Sequence, residues 1–99
     1  MGEIKAYENS KERNDLNMLA DLYSIIKATD LLEAAYSRDA ISATEYNDEC
    51  SKLIAQFKAT EKGLILNRTI ENASEFYREY QVDCPRAYHR LIEAGTLSN

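Results

Sequence analysis

The sequence predicts an all-α fold, in which a long antiparallel helical hairpin is followed by short C-terminal helices. The 99 residues include only three glycines and one proline, the two residue types that most often interrupt helices. In two long segments apolar residues recur at alternating spacings of four and three, which is the period of a helix face. A helix-capping signal separates these segments. The whole chain, residues 1–99, is short enough to be one domain.

The first helix is predicted from Lys11 to Ser37 and carries two apolar stripes. A helix that is apolar on two sides needs neighbours on two sides. One stripe has the spacing of a coiled-coil seam with a single polar interruption, and consists of Met18, Leu22, Ile25, Thr29, Leu32 and Tyr36. The other stripe lies farther around the helix and consists of Leu16, Leu19, Tyr23 and Ile26.

The second helix is predicted to begin at Ser42, because Ser42 and Glu45 have the spacing of a capping box. It should end between Gly63 and Asn67. Only about five residues connect the two helices, so they should pack antiparallel. We expect the long seam of the first helix to face the apolar stripe of the second, which consists of Tyr46, Cys50, Leu53 and Phe57. The stripe that begins at Leu16 is then left for another chain.

Two short helices are predicted to follow. The first runs from Ser74 to about Gln81, with Asn72 or Ser74 as its cap. The last begins with Asp83 as the N-cap and Pro85 in the first turn, where its missing N–H group costs nothing. Gly95 marks the end of this helix. The buried stripe of the helix consists of Tyr88, Leu91 and Ile92.

Charge and hydropathy exclude two classes of function. The formal net charge is −5 and the sequence has no basic cluster, whereas binding to phosphate backbones needs clustered lysine and arginine. No apolar run approaches the roughly 18 residues of a membrane span. We therefore expect neither a nucleic-acid partner nor a membrane-crossing segment.

The sequence carries no enzyme or metal signature. Structural zinc needs four ligands, and the chain has two cysteines and one histidine. Cys84 and His89 are close enough in sequence to suggest a thiol dyad, but five positions place them on different sides of one helix. We therefore predict no catalytic residue, no cofactor and no metal, with Cys50 and Cys84 as packed, reduced thiols.

Surplus apolar surface favours an interaction module over a catalyst. Two helices cannot close a core over three apolar stripes, and the short C-terminal helices can cover only one of them. The remaining stripe must contact another protein or a second copy. The alternative function is therefore a small self-associating helical regulator that works as a homodimer, and a thiol enzyme is a distant third.

Three segments resemble the N-terminal core region of the family of vacuolar protein sorting-associated protein twenty-eight, a subunit of the ESCRT-I complex. They are IKAYENSKERNDLNMLADLYSIIKATDLLEAAY, SATEYNDECSKLIAQFKA and EFYREYQVDCPRAYHRL. The hallmark is Asp83-Cys84-Pro85 after a short aromatic helix. The loop KGLILNRTIENAS departs from the family pattern, which leaves its role open.

The resemblance implies a role in assembly without catalysis or a cofactor. In the family this region is a helical hairpin that packs beside the steadiness-box hairpin of the ubiquitin-binding subunit, and a third subunit's hairpin lies on the far side. The complex sorts ubiquitinated cargo into multivesicular endosomes. A cytoplasmic protein, bound peripherally to the late endosome membrane through the complex, is expected. The family's second helical domain, which recruits ESCRT-II, is absent from these 99 residues.

Overall fold

The computed structural model describes the backbone of residues 2–94 and the side chains of residues 10–94. This part of the chain is helical and contains no strand, which confirms the all-α prediction. The helices are α1 (Gly2–Ser37), α2 (Ala43–Leu66), α3 (Ala73–Glu79) and α4 (Pro85–Tyr88). Helix α4 continues directly into a π-helical segment, His89–Ala94.

Helices α1 and α2 form the expected antiparallel hairpin. The reversal uses Asp39 in the left-handed backbone region, at φ 58°, which aspartate tolerates better than most residues. The predicted capping box is present at the start of α2. Glu45 N–H donates to Ser42 Oγ at 3.1 Å, and Ser42 N–H donates to Glu45 Oε1 at 3.3 Å. These two bonds satisfy amide groups that have no partner within the helix.

Helix α1 is much longer than α2 and extends beyond its end. Met18 lies at the level of the last turn of α2, because a Cβ on Gly63 would lie 2.6 Å from Met18 Cε. Asn67 Nδ2 also lies 3.8 Å from Met18 Sδ. Residues 2–14 of α1, which we call the overhang, therefore continue past α2 for ~20 Å at 1.5 Å per residue. The chain accordingly has an elongated shape of 57 × 23 × 18 Å.

The hydrophobic core of the described residues lies between the hairpin and the short C-terminal helices. The hairpin contributes four buried side chains, Leu22, Ile26, Phe57 and Leu64. Burying one such side chain stabilises a fold by roughly 1.5–3 kcal/mol. The rest of the core comes from the last third of the chain, through Ile70, Ala73, Phe76, Tyr77, Cys84, Ala87 and Leu91.

The residues expected at the interface between α1 and α2 differ in their depth of burial. Leu22, Tyr46, Cys50 and Phe57 are buried. Tyr36 is 40% exposed, but its ring stacks on Tyr46 with the centroids 4.1 Å apart. The four remaining members are partly buried, namely Met18, Ile25, Leu32 and Leu53.

The burial of Ile26 contradicts one expectation drawn from the sequence. The sequence pattern places Ile26 on a surface for another chain, but its side chain is fully buried and belongs to the chain's own core. The reason is that α4 and the π-helical segment pack against α1 beside Asp30 and Glu33. They cover the C-terminal part of the second stripe, where Ile26 lies.

The predicted cap of the last helix is also wrong. The N-cap position is Cys84, one residue later than expected, and its side chain makes no capping bond. Instead, Ala87 N–H in the first turn of α4 donates to Asp30 Oδ1 of α1 at 3.0 Å. Cys84 is held in the core, so Asp83 falls outside the helix and is exposed. Pro85 occupies the first helical position as predicted, and Gly95 lies outside the described residues.

Helix α3 is held in a similar way. Asn72 Oδ1 accepts from Glu75 N–H at 2.9 Å, so Asn72 rather than Ser74 is the cap. Ala73 N–H donates to Glu61 Oε2 of α2 at 2.8 Å. Each short helix thus has a first-turn amide that is satisfied by a carboxylate from the hairpin.

Replacing Asp30 by alanine should lower the free energy of unfolding by about 1 kcal/mol, because the Ala87 amide loses its acceptor. The Asp83→Ala variant removes only an exposed carboxylate and should stay within about 0.5 kcal/mol of the unmodified chain. Urea unfolding followed by circular dichroism measures both values. A larger loss for Asp83→Ala than for Asp30→Ala would contradict the capping arrangement described above.

Candidate interaction surface

A partly buried ion pair joins the C-terminal end of the chain to the hairpin. Arg90 Nε and Nη2 donate to the two oxygens of the Glu33 carboxylate at 3.3 and 3.4 Å. The same carboxylate accepts a hydrogen bond from the Tyr46 hydroxyl, and the Arg90 guanidinium lies 5.9 Å from the Tyr46 ring centroid. Glu33 on α1, Tyr46 on α2 and Arg90 therefore connect three helical elements at one point.

The protonation states of Tyr46 and Arg90 suit a structural role. Burial, and then the hydrogen bond to Glu33, raise the pKa of Tyr46 far above its usual value, so its hydroxyl stays a donor. Burial alone would lower the pKa of Arg90, but the hydrogen bond and charge of Glu33 outweigh it and raise that pKa. Neither Tyr46 nor Arg90 can exchange a proton readily near neutral pH, which a general acid or base must do.

Cys84 and His89 do not form a nucleophilic dyad. Cys84 is buried, and burial followed by the nearby charge of Asp30 raises the pKa of its thiol, whereas a nucleophilic cysteine needs a lowered pKa. His89 is exposed, with Nδ1 3.1 Å from Glu93 Oε1. Cys50 is also buried, and burial raises its pKa as well.

No candidate metal centre occurs within residues 10–94, since no group of three or more His, Cys, Asp or Glu side chains is arranged to hold an ion. The concave features that line the hairpin are open. One depression of about 380 Å³ lies between α1 and α2 and is bordered by Asp21, Ile25, Gln56, Ala59 and Thr60. Such a shallow surface offers a ligand little burial. The prediction that the chain is not an enzyme stays a prediction.

Among the described side chains of α1, the most exposed large apolar residues form a stripe on the outer side of the helix, facing away from α2. Leu16 is 65% exposed, Tyr23 46% and Leu31 62%. Steps of four, three, four and four place five exposed residues on one side of the helix. We call this surface the outer stripe, and it consists of Leu16, Ala20, Tyr23, Lys27 and Leu31.

The outer stripe overlaps only partly with the partner surface expected from the sequence. Leu16 and Tyr23 are exposed, Leu19 is partly buried against the core, and Ile26 is buried. Sequence reasoning missed Leu31 because small Ala20 and charged Lys27 interrupt the apolar pattern between Leu16 and Leu31. A lysine stem can still cover apolar surface while its ammonium group stays in water.

Within the described part of the chain, none of the helices is sufficiently long and apolar to cross a lipid bilayer. The two long helices carry charged residues throughout their length. Any exposed apolar stripe on them is thus bordered by polar side chains, as in the rim of a protein interface.

Comparison with known proteins identifies the family. A family model described as VPS28 protein matches residues 19–98 of this chain. The chain belongs to the VPS28 family. This confirms the resemblance drawn from the three sequence segments, including the one that contains Asp83-Cys84-Pro85.

Curated VPS28 relatives match almost the whole chain. Vacuolar protein sorting-associated protein 28 of Dictyostelium discoideum is 43% identical over 94% of this chain and 32% of its own length. Homolog 2 of Arabidopsis thaliana is 42% identical over 96% of this chain and 44% of its own length. The homolog of Caenorhabditis elegans is 38% identical over 99% of this chain and 45% of its own length. The chain therefore spans less than half the length of these relatives.

Replacing Arg90 by methionine should destabilise the fold by about 3 kcal/mol, because it leaves the largely buried Glu33 carboxylate without its cation. The Lys52→Met variant is a matched control. Lys52 and Glu49 form an ion pair at 3.5 Å in which both side chains are more than half exposed, so its loss should cost less than about 0.5 kcal/mol. Urea unfolding of both variants measures the difference, and equal effects would contradict a structural role for Arg90.

Raising the pH from about 7 to about 9.5 should lower the free energy of unfolding. The unfolded chain releases its thiol protons above about pH 8.5, whereas burial keeps Cys50 and Cys84 protonated in the folded chain. The unfolded state then binds fewer protons, so stability falls as pH rises through this window. Urea unfolding at several pH values measures how the free energy of unfolding changes with pH. A free energy of unfolding that rises over the same range would show that the two thiols do not stay protonated in the folded chain.

Proposed function

We propose that this chain is a non-catalytic scaffold segment of an ESCRT-I complex, which sorts ubiquitinated cargo into multivesicular endosomes. The proposal rests on membership of the VPS28 family, whose curated relatives are named as vacuolar protein sorting-associated proteins. It is supported by a packed helical hairpin with exposed apolar surface. In this role the chain is cytoplasmic and reaches the late endosome membrane peripherally, through the complex.

The outer stripe is the proposed surface for the steadiness-box hairpin of the ubiquitin-binding subunit. The single observation that carries this assignment is the exposure of Leu16, Tyr23 and Leu31 on one side of α1. Burying apolar side chains of this size contributes roughly 1.5–3 kcal/mol each before the costs of association are subtracted. A long helix with such a stripe suits pairing with another helix, and the third subunit's hairpin would then lie on the far side of the partner.

The polar cluster at Glu33 supports this function indirectly. It fixes the C-terminal helices on one flank of the hairpin, and these helices cover Ile26. The outer stripe is left exposed because it lies around α1 from both α2 and the C-terminal helices. Folding of the chain and presentation of the stripe therefore depend on different side chains, so the two can be tested separately.

The Leu16→Asp and Leu31→Asp double variant should abolish capture of the steadiness-box subunit. Placing two carboxylates in an apolar interface costs several kcal/mol through their desolvation, whereas both positions are more than 60% exposed in the free chain. Helix content measured by circular dichroism should therefore be unchanged. Co-purification of the co-expressed subunits measures capture.

The Leu66→Asp variant is the matched control, because Leu66 is 72% exposed at the end of α2 and is not part of the outer stripe. It should bind like the unmodified chain. Capture lost in Leu66→Asp but kept in the double variant would place the interface elsewhere. If the free chain instead sediments as a dimer that the double variant dissociates, the self-associating alternative is favoured.

A further inference from the structure

Every charged residue in line with the outer stripe is a cation. Lys27 lies within the stripe, between Tyr23 and Leu31. Continuing the steps of three and four reaches Arg13 at one end of the stripe and Arg38, directly after α1, at the other. All three cationic side chains are exposed. We call this longer surface the extended stripe, and it consists of the outer stripe together with Arg13, Ala34 and Arg38.

The charge of the extended stripe is opposite to that of the whole chain. The chain holds 12 lysines and arginines against 17 aspartates and glutamates, and its formal net charge is −5. The extended stripe holds three of those cations and no carboxylate. A surface of one sign attracts partners of the opposite sign and repels partners of the same sign. The extended stripe is therefore suited to an acidic partner.

The three cations are not paired inside the chain. None of the ion pairs among the described side chains includes Arg13, Lys27 or Arg38. Lys27 lies in the middle of the surface, so a partner that covers Tyr23 and Leu31 also removes water from the lysine ammonium group. A charge that loses its water in this way costs free energy unless a counter-ion meets it. The partner should therefore supply a carboxylate at this point.

We propose that the helix covering the outer stripe is acidic, with one carboxylate that pairs with Lys27 and others where it passes Arg13 and Arg38. Arg13 lies 14 residues from Lys27, and Arg38 lies 11 residues from it on the other side. At 1.5 Å per residue these separations are ~21 Å and ~17 Å. The covering helix therefore needs about 25 residues to meet all three cations. This inference rests on the proposed function, because the steadiness-box subunit supplies the helix.

A second copy of this chain fits the extended stripe poorly. If two stripes paired antiparallel about their middle, Arg13 of each copy would lie opposite Arg38 of the other. If they paired parallel and in register, Lys27 would lie opposite Lys27. Both arrangements set like charges against each other, which costs free energy in an interface. A helix of different sequence is therefore favoured over self-pairing.

A membrane surface of anionic lipid matches the extended stripe less well than an acidic helix does. Lipid-binding segments cluster about four to eight lysines and arginines, whereas these three cations are spread over ~38 Å. The net charge of −5 also opposes approach to an anionic surface. Ala20 and Ala34 bring little apolar area to a bilayer, but their small side chains let another helix pack closely.

The test is a competition for a limiting amount of the co-expressed steadiness-box subunit, between the unmodified chain and one variant at a time. Lys27→Glu should be captured roughly tenfold less or weaker still, because it sets two carboxylates against each other. Lys27→Met keeps a long unbranched side chain without the charge, and should be captured about threefold less. That difference should shrink when the salt concentration is raised from about 0.05 M to about 0.5 M.

The Lys58→Glu variant is the matched control. It makes the same change of charge at an exposed position of α2, outside the extended stripe, and should be captured like the unmodified chain. Both lysines are exposed, so circular dichroism should show unchanged helix content in all three variants.

Equal capture of Lys27→Glu and the unmodified chain would overturn the inference and leave the proposed function standing. Equal losses in Lys27→Glu and Lys27→Met, or in Lys27→Glu and Lys58→Glu, would also overturn it, because no carboxylate would then be specific to Lys27. Failure of the unmodified chain to capture the subunit would overturn the proposed function as well. Binding to phosphatidylserine vesicles that Lys27→Glu loses, while it still captures the subunit, would replace the acidic helix with a membrane surface.

Discussion

The fold depends on two carboxylates of α1 that hold the C-terminal helices against the hairpin. Asp30 accepts the first-turn amide of α4, and Glu33 pairs with Arg90 while it accepts the Tyr46 hydroxyl. Without them, α4 and the π-helical segment would lose these directional bonds to the hairpin and would depend on apolar contacts, which are non-directional. These hydrogen bonds determine how the short helices are placed, and the core formed by Ile26, Ala87 and Leu91 follows from that placement.

This arrangement separates a surface of α1 that folds the chain from a surface of α1 that stays exposed. The flank of α1 that carries Ile26 and Asp30 is used internally, whereas the outer stripe around Tyr23 is not. The outer stripe is the surface that the proposed function assigns to a partner helix.

The hairpin could be predicted from the sequence because its determinants are local. The capping box at Ser42 and the regular spacing from Met18 to Tyr36 each depend on residues within a few helical turns. The cap of α4 could not be predicted from the sequence. Asp83 lies next to the helix and is a residue type that often caps helices, whereas the acceptor that the first turn uses, Asp30, lies 57 positions before Ala87. The same limit applies to Ile26: periodicity gives the angular position of a side chain, but not which neighbour covers that angle.

The distance in sequence between Asp30 and Ala87 has a consequence for how the chain is made. Domains fold as they leave the ribosome, and contacts between residues far apart form late. The two long helices can pair once α2 has been synthesised, but the flank at Ile26 stays uncovered until residues 85–94 emerge. During that interval the nascent hairpin presents an apolar face that is absent from the finished protein. Chaperone binding to this family should therefore be strongest on chains arrested between α2 and α4.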